Sequence, residues 1–162
     1  MEEKWKEKSH SQSGFTLVEV LMVVVILAML SAIAIPKVSA SSDTARKNAD
    51  VATAHQVKAA LDRYQVENGI YPKPAQLTDD DNGTITSTVL IPKYIGKLDV
   101  NTTQQQAEDK KGFAVAALET DGTIPADSKT NLIMIYLSSD GSAAEVRAYD
   151  AKLETVLWTS AN

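Results

Sequence analysis

The sequence predicts an α+β fold: one long N-terminal α-helix, part anchor and part amphipathic arm, packed against a C-terminal antiparallel β-sheet. Three observations predict it. An almost unbroken apolar run extends from Phe15 to Ile35. Helical periodicity resumes beyond Pro36 and continues to Asn68. From Gly112 onward the chain breaks into short β-prone segments separated by turn signals.

Length and composition narrow the function classes. A chain of 162 residues supports one soluble domain beside the N-terminal segment. The formal net charge is -5 and no Lys/Arg-rich cluster occurs, which argues against nucleic acid as a main partner. The absence of cysteine excludes disulfides and thiolate zinc sites. With His10 and His55 as the two histidines, a His-rich metal or catalytic cluster cannot be assembled.

Within residues 15–35 the single ionisable side chain is Glu19. An apolar helix of about 20 residues spans a bilayer. A carboxylate inside it costs about 2.5–3.5 kcal/mol on insertion scales, so Glu19 calls for a partner. The first 14 residues are hydrophilic, with Lys4, Lys6 and Lys8 balancing Glu2, Glu3 and Glu7. One reading is a secretory signal peptide, for which Val38-Ser39-Ala40 supplies a small-x-small cleavage pattern. The apolar stretch exceeds the usual core of such signals and contains an acid. A second reading, an uncleaved anchor, fits the length and leaves Glu19 unexplained.

Beyond Pro36, which kinks rather than ends such a helix, come Ala45, Ala49, Ala52, Ala54, Val57, Leu61 and Tyr64. Their spacings make an apolar stripe, while Arg46, Lys47, Asp50, Lys58, Asp62, Arg63 and Glu67 largely occupy the other faces. Asn68-Gly69 is a C-cap signal with Pro72 just beyond. A helix from Phe15 to Asn68 would be on the order of 80 Å long.

Residues 69–111 read as loop, with Pro72, Pro74 and Pro92, a polar run from Thr78 to Thr88 and a Gln-rich stretch from Asn101 to Glu108. Within it Thr88 to Ile95 reads as a helical turn or short extended piece docking beside the long helix. Residues 112–162 read as an antiparallel meander of four strands: Gly112 to Leu118, Asn131 to Leu137, Ala143 to Tyr149 and Glu154 to Ser160. Asp121-Gly122, Asp140-Gly141 and Asp150-Ala151-Lys152 mark the turns. Tyr136 and Trp158 read as core residues.

Gly14 followed by Phe15-Thr16-Leu17-Val18-Glu19 and the apolar run to Pro36 resembles the type IV prepilin signal shared by type IV pilins and type II secretion pseudopilins. The resemblance implies a leader, residues 1–14, cut after Gly14 by a prepilin peptidase, and N-methylation of the new terminus at Phe15. It implies that residues 15–36 are transmembrane at first and then form a filament core, with residues 37–68 as the amphipathic half of the helix. It also implies that Glu19 pairs with the α-amine of Phe15 on a neighbouring subunit. Each charge is costly alone in a core with little water, and each stabilises the other. The basic residue nearest before the glycine is Lys8, farther off than is common in that family. The segment Ala60 to Pro72, with Asn68-Gly69 and Tyr71-Pro72, is similar to the helix end of pilins near the major pseudopilin. Leu90 to Leu98 is similar to a following segment of that group. The Asp-Pro-Trp-Gly-like element usual there is missing; the chain reads Asp99-Val100-Asn101-Thr102-Thr103 instead.

Other motifs weigh less. Asp79, Asp80 and Asp81 gather hard oxygen ligands as a calcium loop would, without EF-hand spacing or a terminal bidentate glutamate. A solvated acidic turn is the favoured reading, so no metal and no other cofactor is expected. Asn82-Gly83-Thr84 and Asn101-Thr102-Thr103 match glycosylation sequons and are read as unmodified. No nucleophile, histidine and acid can be grouped, so an enzyme is not expected.

The resulting expectation is a structural subunit that polymerises into a homo-oligomeric helical surface filament through its N-terminal helix. A major pilin of a surface pilus stands first, ahead of a pseudopilin of a type II secretion or competence system. A membrane-tethered or secreted binding module is the reading from another class. The expected partners are further copies of the chain, prepilin peptidase, inner-membrane assembly machinery and, before assembly, membrane lipid. The expected location is the cytoplasmic membrane with the C-terminal domain outside, followed by an extracellular pilus or periplasmic pseudopilus.

Overall fold

The structure, a computed structural model, describes residues 14–107 and 110–161. Most of the leader, with Lys4, Lys6, Lys8 and His10, lies outside the described residues, as does Glu108. A helix α1 (Leu17–Asn68) is followed by a 3-10 turn (Pro74–Gln76), a two-residue hairpin of β1 (Thr78–Asp79) and β2 (Ile85–Thr86), and a second 3-10 turn (Val100–Thr102). Then come β3 (Phe113–Ala117), β4 (Ile133–Leu137), β5 (Ala144–Tyr149) and β6 (Val156–Thr159). This is an α+β, pilin-like arrangement. The chain divides into two compact units, residues 1–40 and 41–162.

In the first unit α1 runs through Pro36 without a break. Its apolar side chains from Phe15 to Val38 are exposed, including Phe15 at 85% and Ile35 at 67%. A helix that is apolar all round and uncovered by its own chain needs a lipid or protein environment. Ser31, a polar residue in this run, donates its hydroxyl to the Leu27 carbonyl at 2.8 Å, so it presents no unmet donor.

In the second unit the buried face of α1 is Asp50, Ala54, Val57, Ala60, Leu61 and Tyr64, spaced by three and four residues. The apolar stripe therefore begins at Ala54: Ala49 is half-buried, and Ala45 and Ala52 are exposed. Asp50, which the sequence placed among the charged faces, sits instead at the head of the buried stripe. The helix stops at Gly69, whose left-handed φ of 82° lets its N–H reach the Gln65 carbonyl at 2.7 Å.

Four strands form one sheet in the order β3-β4-β5-β6. β4, β5 and β6 are antiparallel neighbours, as a meander requires, but β3 runs parallel to β4, with Phe113 opposite Ile133 and Ala117 opposite Leu137. A parallel pair needs a crossover of about a dozen residues or more, and residues 118–132 supply it. The Asp121-Gly122 signal marks a local turn inside this crossover, where the Gly122 N–H meets the Glu119 carbonyl at 2.9 Å.

Register identifies the two faces of the sheet. Ile133 lies opposite Ala148, which lies opposite Trp158, and the Trp158 ring packs at a tilt against His55 of α1, with centroids 4.1 Å apart. That row faces the helix. The alternate row, with Met134 and Tyr136, faces the crossover, where Ser128 Oγ lies 3.5 Å from the Tyr136 hydroxyl. Being covered on both sides, β4 buries all five of its residues, which explains its unalternating apolar sequence. Tyr136 is fully buried, while Trp158 is half-buried and belongs to the rim of the core.

The loop region also packs on α1. Residues 88–94 form turns in which the Tyr94 N–H meets the Leu90 carbonyl at 3.0 Å. Tyr94 packs edge-on against Tyr64 with ring centroids 5.5 Å apart. At the β1–β2 hairpin Gly83 and Gly112 face each other, with φ of 86° and 82°, and the Phe113 N–H donates to the Gly83 carbonyl at 2.9 Å. A Cβ on Gly112 would lie 2.1 Å from the Gly83 carbonyl oxygen, so a side chain there displaces backbone.

Candidate processing and assembly segment

Gly14, Phe15 and Thr16 precede the first helical residue, Leu17, and all three are exposed. Among the described residues, its chain neighbours aside, no atom lies within 4 Å of a Cβ built on Gly14.

Thr16 is the N-cap of α1 and Glu19 lies three residues on, which is the spacing of a capping box. The Thr16 N–H and the Thr16 hydroxyl both donate to Glu19 Oε2, at 2.8 and 2.9 Å. The Glu19 N–H reaches back to Thr16 Oγ1 at 3.3 Å. Two orphan donors of the helix start are thereby satisfied, and the positive end of the helix dipole favours the carboxylate. Glu19 Oε1 has no partner among the described residues. The partner of Glu19 expected on another subunit thus has a counterpart within the subunit, at the Thr16-x-x-Glu19 spacing of the sequence.

A second carboxylate matters in the other unit. Asp50 is fully buried. Its Oδ1 accepts the Gln104 N–H at 2.6 Å, and its Oδ2 accepts the Gln105 N–H at 3.1 Å and Gln105 Nε2 at 3.0 Å. Gln105 Nε2 also donates to the Tyr149 carbonyl at 3.0 Å, tying α1, the loop and the end of β5 together. The distance in sequence between Asp50 and these partners hides the clasp from any local pattern.

The acidic trio is brought together as a turn. Asp79 Oδ1 accepts the Asp81 N–H and Asp79 Oδ2 the Val115 N–H; Asp80 Oδ1 accepts the N–H groups of Asn82 and Thr84. Among the described residues no group of three or more metal-ligating side chains is placed to hold an ion. His55 is exposed and carries the Trp158 ring contact. Elsewhere on α1, Lys58 pairs with Asp62, and the Tyr71 hydroxyl donates to Asp62 at 2.9 Å. Desolvation opposes the charged form of Lys58, yet the bonds to Asp62 and Tyr71 outweigh it and raise its pKa above the usual lysine value.

The long helix, the apolar run headed by one capped acid, and the sheet covering the helix arm together form a pilin-like α+β arrangement whose N-terminus resembles a prepilin signal. Residues 9–35 match the family described as the prokaryotic N-terminal methylation motif. The chain is similar to the type II secretion system core protein G of Pseudomonas aeruginosa, at 42% identity over 67 residues, covering 41% of this chain and 47% of that protein. It is likewise similar to the core protein G of Vibrio cholerae, at 36% over 70 residues covering 43% and 48%, and to that of Escherichia coli, at 34% over 68 residues covering 42% and 47%. The chain thus spans about half the length of the curated relatives it matches. No solved structure matches it significantly. These relatives support the pseudopilin reading over the surface pilin that the sequence put first.

Proposed function

We propose that the chain is a pseudopilin-like structural subunit of a secretion apparatus, made as a prepilin, cut after Gly14, N-methylated on Phe15 and polymerised through its N-terminal helix. The observation that carries this reading is an apolar helix exposed all round, with a single carboxylate in its first turn. The helix is long and apolar enough to cross a membrane. In the membrane, Thr16 satisfies Glu19 from within the same subunit. On assembly, lipid contacts give way to neighbouring helices, and Glu19 turns its open oxygen to the methylated α-amine of Phe15 on the next copy. A subunit out of register would leave both charges unmatched, so the pair sets the stagger. The reading assigns the chain no catalytic role. Its partners are further copies of itself, the peptidase that trims it, and the membrane machinery that assembles it into a periplasmic pseudopilus.

Mass spectrometry of the mature N-terminus tests the reading. Methylated Phe15 as first residue is expected. A mature chain beginning at Ser41, or an intact leader, overturns it. Filaments confined to the envelope and absent from the sheared cell surface separate pseudopilus from pilus.

A further inference from the structure

The sequence has four places where glycine follows an asparagine or an aspartate: Asn68-Gly69, Asn82-Gly83, Asp121-Gly122 and Asp140-Gly141. Such pairs share one chemistry. The glycine nitrogen, with no Cβ beside it to crowd the approach, can attack the side-chain carbonyl carbon of the residue before it and close a five-membered succinimide. The nitrogen must be free to give up its proton, and the backbone must be free to turn.

The fold separates the four. Gly69 donates its N–H to the Gln65 carbonyl at 2.7 Å, Gly122 to that of Glu119 at 2.9 Å, and Gly141 to that of Ser138 at 3.2 Å. In these three the attacking nitrogen is already committed to a turn of the chain. The Asn68 amide is occupied as well, donating to the Tyr64 carbonyl at 2.8 Å and the Tyr94 hydroxyl at 3.3 Å. Asp121 and Asp140 would have to shed an oxygen, which an ionised carboxylate does poorly, and each accepts a backbone N–H at 2.9 Å. Gly83 differs: its N–H has no acceptor among the described residues. Asn82 is exposed, and a single bond, from Nδ2 to the Asp80 carbonyl at 3.1 Å, holds its amide.

We infer that Asn82 is a self-modification site, at which the chain deamidates without an enzyme and loosens its own hairpin. The Gly83 nitrogen loses its proton to solvent and bonds to Asn82 Cγ, while Asn82 Nδ2 takes up a proton and leaves as ammonia. Water then opens the ring. Addition at Cγ gives aspartate. Addition at the backbone carbonyl carbon gives isoaspartate, in which the main chain runs through the former side chain and is longer by one methylene. Gly83 has no slack for that methylene. A Cβ on it would lie 2.1 Å from the Lys111 carbonyl oxygen, and its own carbonyl holds the Phe113 N–H at 2.9 Å. Isoaspartate at position 82 therefore pushes Gly83 off Gly112 and frees the first residue of β3. The site is independent of the assembly reading.

Full-length protein aged in detergent at mildly alkaline pH, then digested and read by mass spectrometry, tests the inference. A unit mass gain should accumulate at Asn82 about tenfold or more faster than at Asn68, which must first wait for the end of its helix to open. In urea the two rates should converge. Equal rates in the folded protein overturn the site. A difference that persists in urea assigns it to local sequence and overturns its selection by the fold. Asn82→Gln, which would have to close a larger and slower ring, should remove the signal. Amide exchange at Phe113 should quicken in the aged protein yet stay slow in freshly made Asn82→Asp, which carries the charge without the methylene. Exchange equally fast in both, or quickened in neither, overturns the loosening of the hairpin.

Discussion

Two carboxylates on one helix invite comparison. Glu19 and Asp50 both lie on α1 and both accept backbone N–H groups. Glu19 is held by a residue three positions away, is exposed, and keeps one oxygen without a partner among the described residues. Asp50 is fully buried, uses both oxygens, and takes its partners from a loop more than fifty residues downstream. A local hydrogen bond can be exchanged without disturbing anything else, while a long-range one cannot be broken without loosening three elements. The first unit therefore carries an acid suited to changing partners, and the second an acid that fixes one conformation.

The comparison can be broken at either end. The largest effect is expected at Glu19: Glu19→Ala should still fractionate with membranes yet form no filaments on electron microscopy. Normal polymerisation would mean that Glu19 has no part in assembly. Glu19→Gln keeps the capping acceptor without the charge, and should also fail to assemble if pairing with an amine is what matters. At the other end, Asp50→Ala leaves three donors unmet and should cost about 3–5 kcal/mol in the second unit while membrane association persists. Urea midpoints followed by Trp158 fluorescence give the measurement. A loss below about 1 kcal/mol would show that the clasp is incidental.

Smaller effects sharpen the contrast. Gly112→Ala sets a side chain against the Gly83 carbonyl at a left-handed φ and should cost about 2–4 kcal/mol by the same urea assay. Thr16→Val keeps the shape of the N-cap and removes its hydroxyl, which should cost about 1 kcal/mol of helix start. Faster amide exchange at Leu17 to Glu19, with the second unit unchanged, is the expected readout. The smallest effect concerns pH. Hydrogen bonding from the Ser142 N–H, at 2.9 Å, holds the Asp140 carboxyl down to about 2 from its ordinary 3.8. The stability this turn supplies is present above the ordinary value and is lost as pH falls through about 2. Asp140→Asn should therefore flatten the acid limb of the stability profile by removing that contribution near neutrality, and leave stability below about pH 2 unchanged.

What the sequence disclosed followed the range of the interaction. The stripe from Ala54 to Tyr64 and the apolar run after Phe15 are repetitive local signals, and the helix they describe is the helix observed. Strand identity was legible for the same reason: β-branched and aromatic runs between turn residues place β3 to β6 within a residue or two. Strand direction was not. Nothing in Phe113 to Ala117 says whether it runs with or against β4, because that is decided by where the crossover lies. The β1–β2 hairpin, with two residues on each side, is too short to show an alternation. Asp50 reads as one more charged residue on an amphipathic helix, and its burial is settled by Gln104 and Gln105 far along the chain. The Thr16 to Glu19 box is local by contrast, and its three-residue spacing is readable in the sequence.

The covering of α1 by β4, β5 and β6 has a consequence for the order of events in a growing chain. Synthesis delivers the arm first and its covering strands last. Ala54, Val57, Ala60 and Leu61 emerge with nothing to close over them, and the loop that clasps Asp50 arrives only partway through. The hairpins of β4, β5 and β6 join near neighbours and close quickly, whereas the arm meets them across most of the chain and closes late. Until release the arm is an uncovered apolar stripe, open to whatever chaperone or membrane surface is at hand. A ribosome stalled within β4 should hold a protease-sensitive arm, and one stalled beyond β6 a resistant one.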